Sequence, residues 1–132
     1  MRLEATRNEW DRALRSLKAA EVLIPDGLTE DAVSRAYYSI LHAAKAALLV
    51  SDVAADTHAA VRRMFGQVLV KPGIIEPEWA DILSEAQEER ETADYDVASR
   101  IDPQIAGRIV SDAGRFLERM HRYLEANGVA LG

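Results

Sequence analysis

Cysteine is absent from the 132-residue chain, which excludes a disulfide framework and any thiolate-held metal. Glycine and proline are few, at 7 and 4, and aromatic residues make up only 6%. With Ala and Leu abundant, that balance favours helices over strands. No apolar run approaches the roughly 20 residues of a membrane-spanning helix. The opening Met1-Arg2-Leu3-Glu4 lacks the apolar stretch of a signal peptide. A cytoplasmic protein without a membrane partner is expected. The chain also lacks a Gly-rich phosphate loop and a nucleophile elbow, and His42, His58 and His121 show no metal-ligand spacing. Neither cofactor nor metal is expected. Excess positive charge is missing as well: the net charge is −6. That argues against a domain gripping nucleic acid by bulk electrostatics, while leaving room for a local basic site.

What is present reads as helices. The length suits one domain with one core, residues 1–132. A first helix is expected from about Leu3 to Ile24, ending at Pro25-Asp26-Gly27, with Leu3, Trp10, Leu14, Leu17 and Val22 as its buried stripe. Thr29 opens a second as N-cap and the helix runs to about Val50. Asp56-Thr57 caps a third, which carries Val61, Met64, Phe65, Val68 and Leu69 and ends near Lys71-Pro72-Gly73. A fourth starts at Pro77 with Trp79, Ile82, Leu83 and Ala86 inward. A fifth spans about Pro103 to Ala126, and the tail from Val129 to Gly132 should fray. Short connections predict an all-α, up-and-down bundle of four to five antiparallel helices.

The second helix is too apolar for one neighbour. Val33, Tyr37, Ile40, Ala44, Ala47 and Leu48 form one face at about 100° per residue. The opposite face holds Ala36, Tyr38, Ser39, Ala43, Ala46, Leu49 and Val50 where a surface helix would be polar. Either this helix is the centre of the bundle or its second face meets another subunit. Arg35 and His42, two turns apart, share that second side within about 20°. Arg can hold a phosphate bidentately and His can move a proton near neutrality. Alternatively, Arg35 pairs with a carboxylate and His42 is a satisfied core or interface histidine.

The string Ser34-Arg35-Ala36-Tyr37-Tyr38-Ser39-Ile40-Leu41-His42-Ala43-Ala44-Lys45-Ala46 is similar to the signature helix of small stand-alone HEPN proteins. Two further blocks agree in order. One comprises His58, Val61-Arg62-Arg63-Met64-Phe65-Gly66 and Val70-Lys71-Pro72-Gly73-Ile74-Ile75. The other is Glu89-Arg90-Glu91-Thr92-Ala93-Asp94-Tyr95-Asp96, which resembles that family's Arg-x-x-Ala-Asp-Tyr element. The resemblance implies a HEPN-like bundle, often a homodimer, working with a minimal nucleotidyltransferase in a toxin–antitoxin-like pair. It further implies binding of nucleotide or RNA, with a metal-independent endoribonuclease as the alternative activity and a structural adaptor without ligand as a third. The family's ribonucleases place a His a few residues after an Arg. Arg35 with His42 and Arg115 with His121 both fit formally. The second pair lies roughly 120° apart around its helix, so Arg35 and His42 are the candidate catalytic residues.

Candidate nucleotide- or RNA-binding residues are Arg90, Asp94 and Tyr95 in the family element, and Arg115 and Arg119 in a basic stripe with Arg108 and Arg122 on the last helix. Arg90 and Asp94, at i and i+4, can pair across one turn. The group then has an architectural reading, closing the bundle near Arg35 and His42. For the stripe the plainer reading is a solvated face balanced by Asp112 and Glu118. The fourth helix is strongly acidic, from Glu76 to Glu91, and reads as a solvated face or a docking surface for a basic partner. His58, beside Asp56 and Thr57, reads as a helix-start residue with a capping or anion-contact role.

Overall fold

Pro25 and Gly27 end the first helix where the sequence places the break. Helix α1 spans Leu3–Leu23 and tightens into a 3-10 turn, Ile24–Asp26. Gly27 follows at φ +76°, a left-handed conformation that other side chains resist. These assignments come from a computed structural model that describes residues 2–95 and 101–131, Tyr95 by its backbone alone. Helix α2 spans Thr29–Leu49. Thr29 is its first helical residue and not its cap: Leu28 holds the cap position, and the Thr29 hydroxyl instead donates to the Glu30 carboxylate. Helix α3, His58–Met64, is capped as expected by Thr57, whose Oγ1 accepts from the Ala60 N–H at 3.0 Å. It continues as a π-helical stretch, Phe65–Val70. Helix α4 spans Pro77–Tyr95. Helix α5 spans Pro103–Ala126, its first turn closed by Asp102 Oδ1 accepting from the Gln104 N–H at 2.8 Å. No strand occurs among the described residues, and the fold is an all-α helical bundle.

Helix α2 is the axis of this bundle. It packs along α1 more extensively than any other pair of helices, and then against α5 and α4. Both of its faces are buried: Val33, Tyr37, Ile40 and Leu48 on one, and Ala36, Ser39, Ala43 and Ala46 on the other, all at 0% exposure. The chain's own helices therefore cover both faces of α2.

The stripe expected on α1 is wrong in detail. Trp10 is buried, but Leu3, Leu14 and Val22 are 43%, 46% and 57% exposed. The buried row is Thr6, Trp10, Ala13, Ser16 and Ala20. Apart from Trp10, small side chains fill it where α1 packs along the Ala-rich surface of α2, and bulk there would push the helices apart. Leu14 and Leu17 are left to line a groove of about 510 Å³ toward α5, with Trp10, Gly114, Leu117 and His121.

The tail also departs from expectation. Gly128, at φ +83°, ends α5 with its N–H bonded to Glu125 O, and the Val129 N–H reaches Leu124 O. This double back-bond is the Schellman arrangement, which brings the following apolar residue onto the last turn. Val129 is accordingly 1% exposed, and Ala130 O accepts from Arg7 Nε at 3.2 Å. The tail is docked at Val129 and Ala130 instead of frayed, and Gly132 lies outside the described residues.

Candidate functional site on the α1–α2 seam

Because α1 and α2 fold back on each other about the Pro25–Asp26 turn, residues equidistant from that turn face each other. Glu9 and His42 are such a pair, and so are Ser16 and Arg35. His42 Nδ1 lies 2.6 Å from Glu9 Oε2, and Lys45 Nζ lies 3.4 Å from Glu9 Oε1. The contact is partly sheltered, with side-chain exposures of 18% for His42 and 24% for Glu9. Burial alone would raise the Glu9 pKa. The hydrogen bond with His42 and the charge of Lys45 outweigh it and hold the carboxyl below its ordinary value.

Tyr38 connects this pair to the rest of the cluster. Its ring lies stacked near the His42 ring, centroids 6.5 Å apart, and the Arg35 guanidinium sits over it at 5.6 Å. Arg35 and His42 thus flank one aromatic ring and do not touch each other directly. From α4, Arg90 crosses to the same ring: its NH2 group donates to Tyr38 Oη at 3.0 Å, and its guanidinium lies 5.3 Å from the ring centroid. Arg90 also pairs with Asp94 at 3.0 Å, the contact their i, i+4 spacing allows. These contacts place Arg90 and Asp94 at the junction of α2 and α4. The side chain of Tyr95, the third candidate of that element, lies outside the described residues.

His58, the first residue of α3, enters the cluster too, 5.4 Å from the Tyr37 ring and 6.1 Å from the Tyr38 ring. Thr57 does the capping beside it. Burial, reinforced by the charge of Arg90, lowers the His58 pKa, so the neutral imidazole is favoured here. Beneath it Tyr37 is fully buried, and its hydroxyl has no hydrogen-bond partner among the described residues. Burial pushes that phenol up to about 12, against the opposing pull of Arg90.

The basic stripe on α5 is not part of this site. Arg115 pairs with Asp112 at 2.9 Å and lies over Trp79, while Arg119 binds Glu76 at 2.8 Å and Ile74 O at 3.2 Å. Arg108 is likewise held by Glu85 at 2.7 Å. These arginines tie α5 to α4 and its approach, neutralising part of the acidic surface. Hydrogen bonds from Arg119 and from Trp79 together hold the Glu76 carboxyl down to about 2. His121 pairs with Glu125 and lies 5.7 Å from the Trp10 ring, apart from Arg115.

Chemically, the seam offers an imidazole oriented through Nδ1 by a carboxylate, leaving Nε2 for proton transfer, and beside it an exposed guanidinium. Sequence reading alone found Arg35 and His42 but missed Glu9. The signal was available in the symmetry of the helical hairpin about Pro25–Asp26.

Comparison with known proteins adds the following. The sequence matches the HEPN domain over residues 7–123. It is 36% identical over 113 residues to a protein of Methanocaldococcus jannaschii named "putative toxin", covering 86% of this chain and 84% of that one. A second M. jannaschii protein with the same printed description is 31% identical over 122 residues, covering 92% and 83%. A UPF0332 protein of Gloeobacter violaceus is 32% identical over 115 residues, covering 86% and 91%.

Proposed function

Because the chain belongs to the HEPN domain family, we propose that it is the toxin of a toxin–antitoxin-like pair, working with a minimal nucleotidyltransferase and engaging RNA or nucleotide phosphate at the Tyr38-centred cluster. One observation carries this reading. Arg35 is exposed and has no carboxylate partner among the described residues, yet it shares one ring with a histidine already fixed by Glu9. An idle guanidinium beside an oriented imidazole suits a phosphate ligand better than an internal ion pair. Relatives described as "putative toxin", matched over nearly the whole chain, support the biological setting. The nucleotidyltransferase comes from the family resemblance, and the acidic face of α4 offers it a docking surface if its own face is basic. The expected homodimer is assigned to the α1–α5 groove, where Leu14 and Leu17 sit beside Trp10, since α2 is already covered. The test is retention of RNA by the purified chain, together with capture of a minimal nucleotidyltransferase encoded beside it. Retention that fails for both RNA and nucleotides, with no capture, refutes the proposal.

The Glu9–His42 contact favours a second reading, a metal-independent endoribonuclease. There His42 takes the proton of a ribose 2′-hydroxyl as the 2′-oxygen bonds to phosphorus. The bond to the 5′-oxygen breaks, and the proton returns to that leaving oxygen, giving a 2′,3′-cyclic phosphate and a free 5′-hydroxyl. Glu9 fixes the ring, and Arg35 stabilises charge developing on the phosphate. Cleavage in excess EDTA that yields cyclic phosphate ends and disappears in His42→Ala supports this reading. Intact RNA counts against it and leaves binding as the activity.

A further inference from the structure

Next to the Tyr38 cluster, the α1–α2 seam holds a recess of about 240 Å³ lined by Arg12, Arg15, Ser16, Ala19 and Arg35. Three of its five lining residues are arginines and none is acidic. Arg12, Arg15 and Arg35 are all exposed, and none has an ion pair among the described residues. Arg90, Arg108, Arg115 and Arg119 each hold a carboxylate, while Arg7, Arg62, Arg63 and Arg122 hold none among the described residues. What sets this place apart is that three unpaired guanidiniums line one recess, in a protein of net charge −6 with acidic residues to spare. Like charges so grouped repel one another, and an external anion relieves that repulsion.

We propose that the Arg12–Arg15–Arg35 recess holds a phosphodiester of single-stranded RNA, on the same strand as the group presented to His42. The proposal rests on the reading of the neighbouring cluster as an RNA site. At about 240 Å³ the recess is smaller than the roughly 300–1,000 Å³ of pockets that enclose a drug-sized ligand, so it suits a phosphate and not a whole nucleotide. Arg35 belongs both to the recess and to the Tyr38 ring contact, which makes the two surfaces continuous. Arg12 lies three residues along α1 from Glu9, the partner of His42, so the track runs along both helices. Guanidiniums lining a small recess supply the charge that tracks the backbone of a single strand, and the recess adjoins the cluster already read as an RNA site. An acidic protein segment would use the same charge without needing that neighbour.

The experiment compares the full chain with Arg12→Ala/Arg15→Ala, binding a fluorescein-labelled 12-nucleotide single-stranded RNA by anisotropy across a salt series. Arg63→Ala/Lys71→Ala, which removes the same charge from exposed positions elsewhere, is the control. Losing the one phosphate held in the recess should weaken binding roughly tenfold and lower the slope of log affinity against log salt by about 0.7. The control should change neither by a comparable amount. Unchanged affinity and slope in the Arg12/Arg15 variant, or an equal loss in the control, overturns the recess. If Arg35→Ala still abolishes binding in that case, the proposed function stands without it. No RNA binding by the wild-type chain overturns both. A wild-type oligomer that dissociates in the Arg12/Arg15 variant, with RNA binding unaltered, shows that the recess seats an acidic protein surface and overturns the RNA assignment.

Discussion

Replacing Glu9 with Gln keeps the shape of the α1–α2 contact and removes a single charge from it. The wild-type carboxylate meets His42 at 2.6 Å with both side chains about a fifth to a quarter exposed. A hydrogen bond to a charged group contributes about 1.5–3 kcal/mol when well sheltered. Partial exposure and the bond Gln can still form reduce the expected loss to about 1 kcal/mol. For a chain of this length that corresponds to a fall in Tm of about 3–5 °C. The pH dependence makes the test specific. Glu9 titrates below its ordinary 4.5 in the folded protein, because the His42 hydrogen bond and Lys45 outweigh the burial that would raise it. A carboxyl with a lowered folded pKa stabilises above its unfolded pKa, and that stabilisation is lost as pH falls through the folded value. Urea unfolding at pH 6.5, 4.5 and 3.5 should therefore show a gap between wild type and Glu9→Gln that is full at pH 6.5 and narrows toward pH 3.5. No gap at pH 6.5, or one that stays constant to pH 3.5, would refute the assignment of Glu9 as the ionised partner of His42.

Three further outcomes are expected. Tyr37→Phe removes a buried hydroxyl that lacks a partner among the described residues, so urea unfolding should show stability unchanged or raised by about 1 kcal/mol; a loss of that size would mean the hydroxyl is bonded. His58 has its pKa lowered from 6.5, chiefly by partial burial, so the fold should lose stability as pH drops below about 6.5, and His58→Gln should flatten that loss between pH 7 and 5; an equal slope in the variant contradicts the half-buried neutral ring. Leu14→Glu places a charge in the α1–α5 groove on a side chain 46% exposed, and light scattering should show the proposed wild-type homodimer replaced by a monomer; a persistent dimer moves the interface elsewhere.

Much of the fold was legible because helix breakers and caps act locally. Pro25-Asp26-Gly27, Thr57 and Pro77 each do in the structure what their chemistry allows, and α5 occupies the span its pattern suggests. The two-faced burial of α2 was legible for a similar reason, since a helix with so few ionisable residues has no face to give to water. Packing depth was harder to read. Leu14 and Val22 look like core by hydrophobicity, but the packing of α1 along α2 buries Ala13, Ser16 and Ala20 instead. That selection depends on tertiary packing, which periodicity does not encode. Thr29 sits one residue inside the helix, after Leu28 at the cap, and its hydroxyl is bonded to Glu30. At the site, Arg35 and His42 share a helix and could be found from spacing. Glu9, Lys45 and His58 complete the cluster from α1, from one turn further along α2 and from α3, so only hairpin register and tertiary packing reveal them. Arg115 and Arg119 stand out in sequence as a stripe, but the acidic residues they bind, Asp112 and Glu76, decide their surroundings.

The most direct test of the functional reading is growth after induced expression of the wild-type chain and of His42→Ala, with circular dichroism confirming equal helix content in the two. His42 is partly exposed at the seam and is not part of the buried core, so the variant should fold. Wild type is expected to arrest growth and His42→Ala to permit it. Arrest by the folded variant to the same degree as wild type would contradict the assignment of toxicity to the Tyr38-centred cluster.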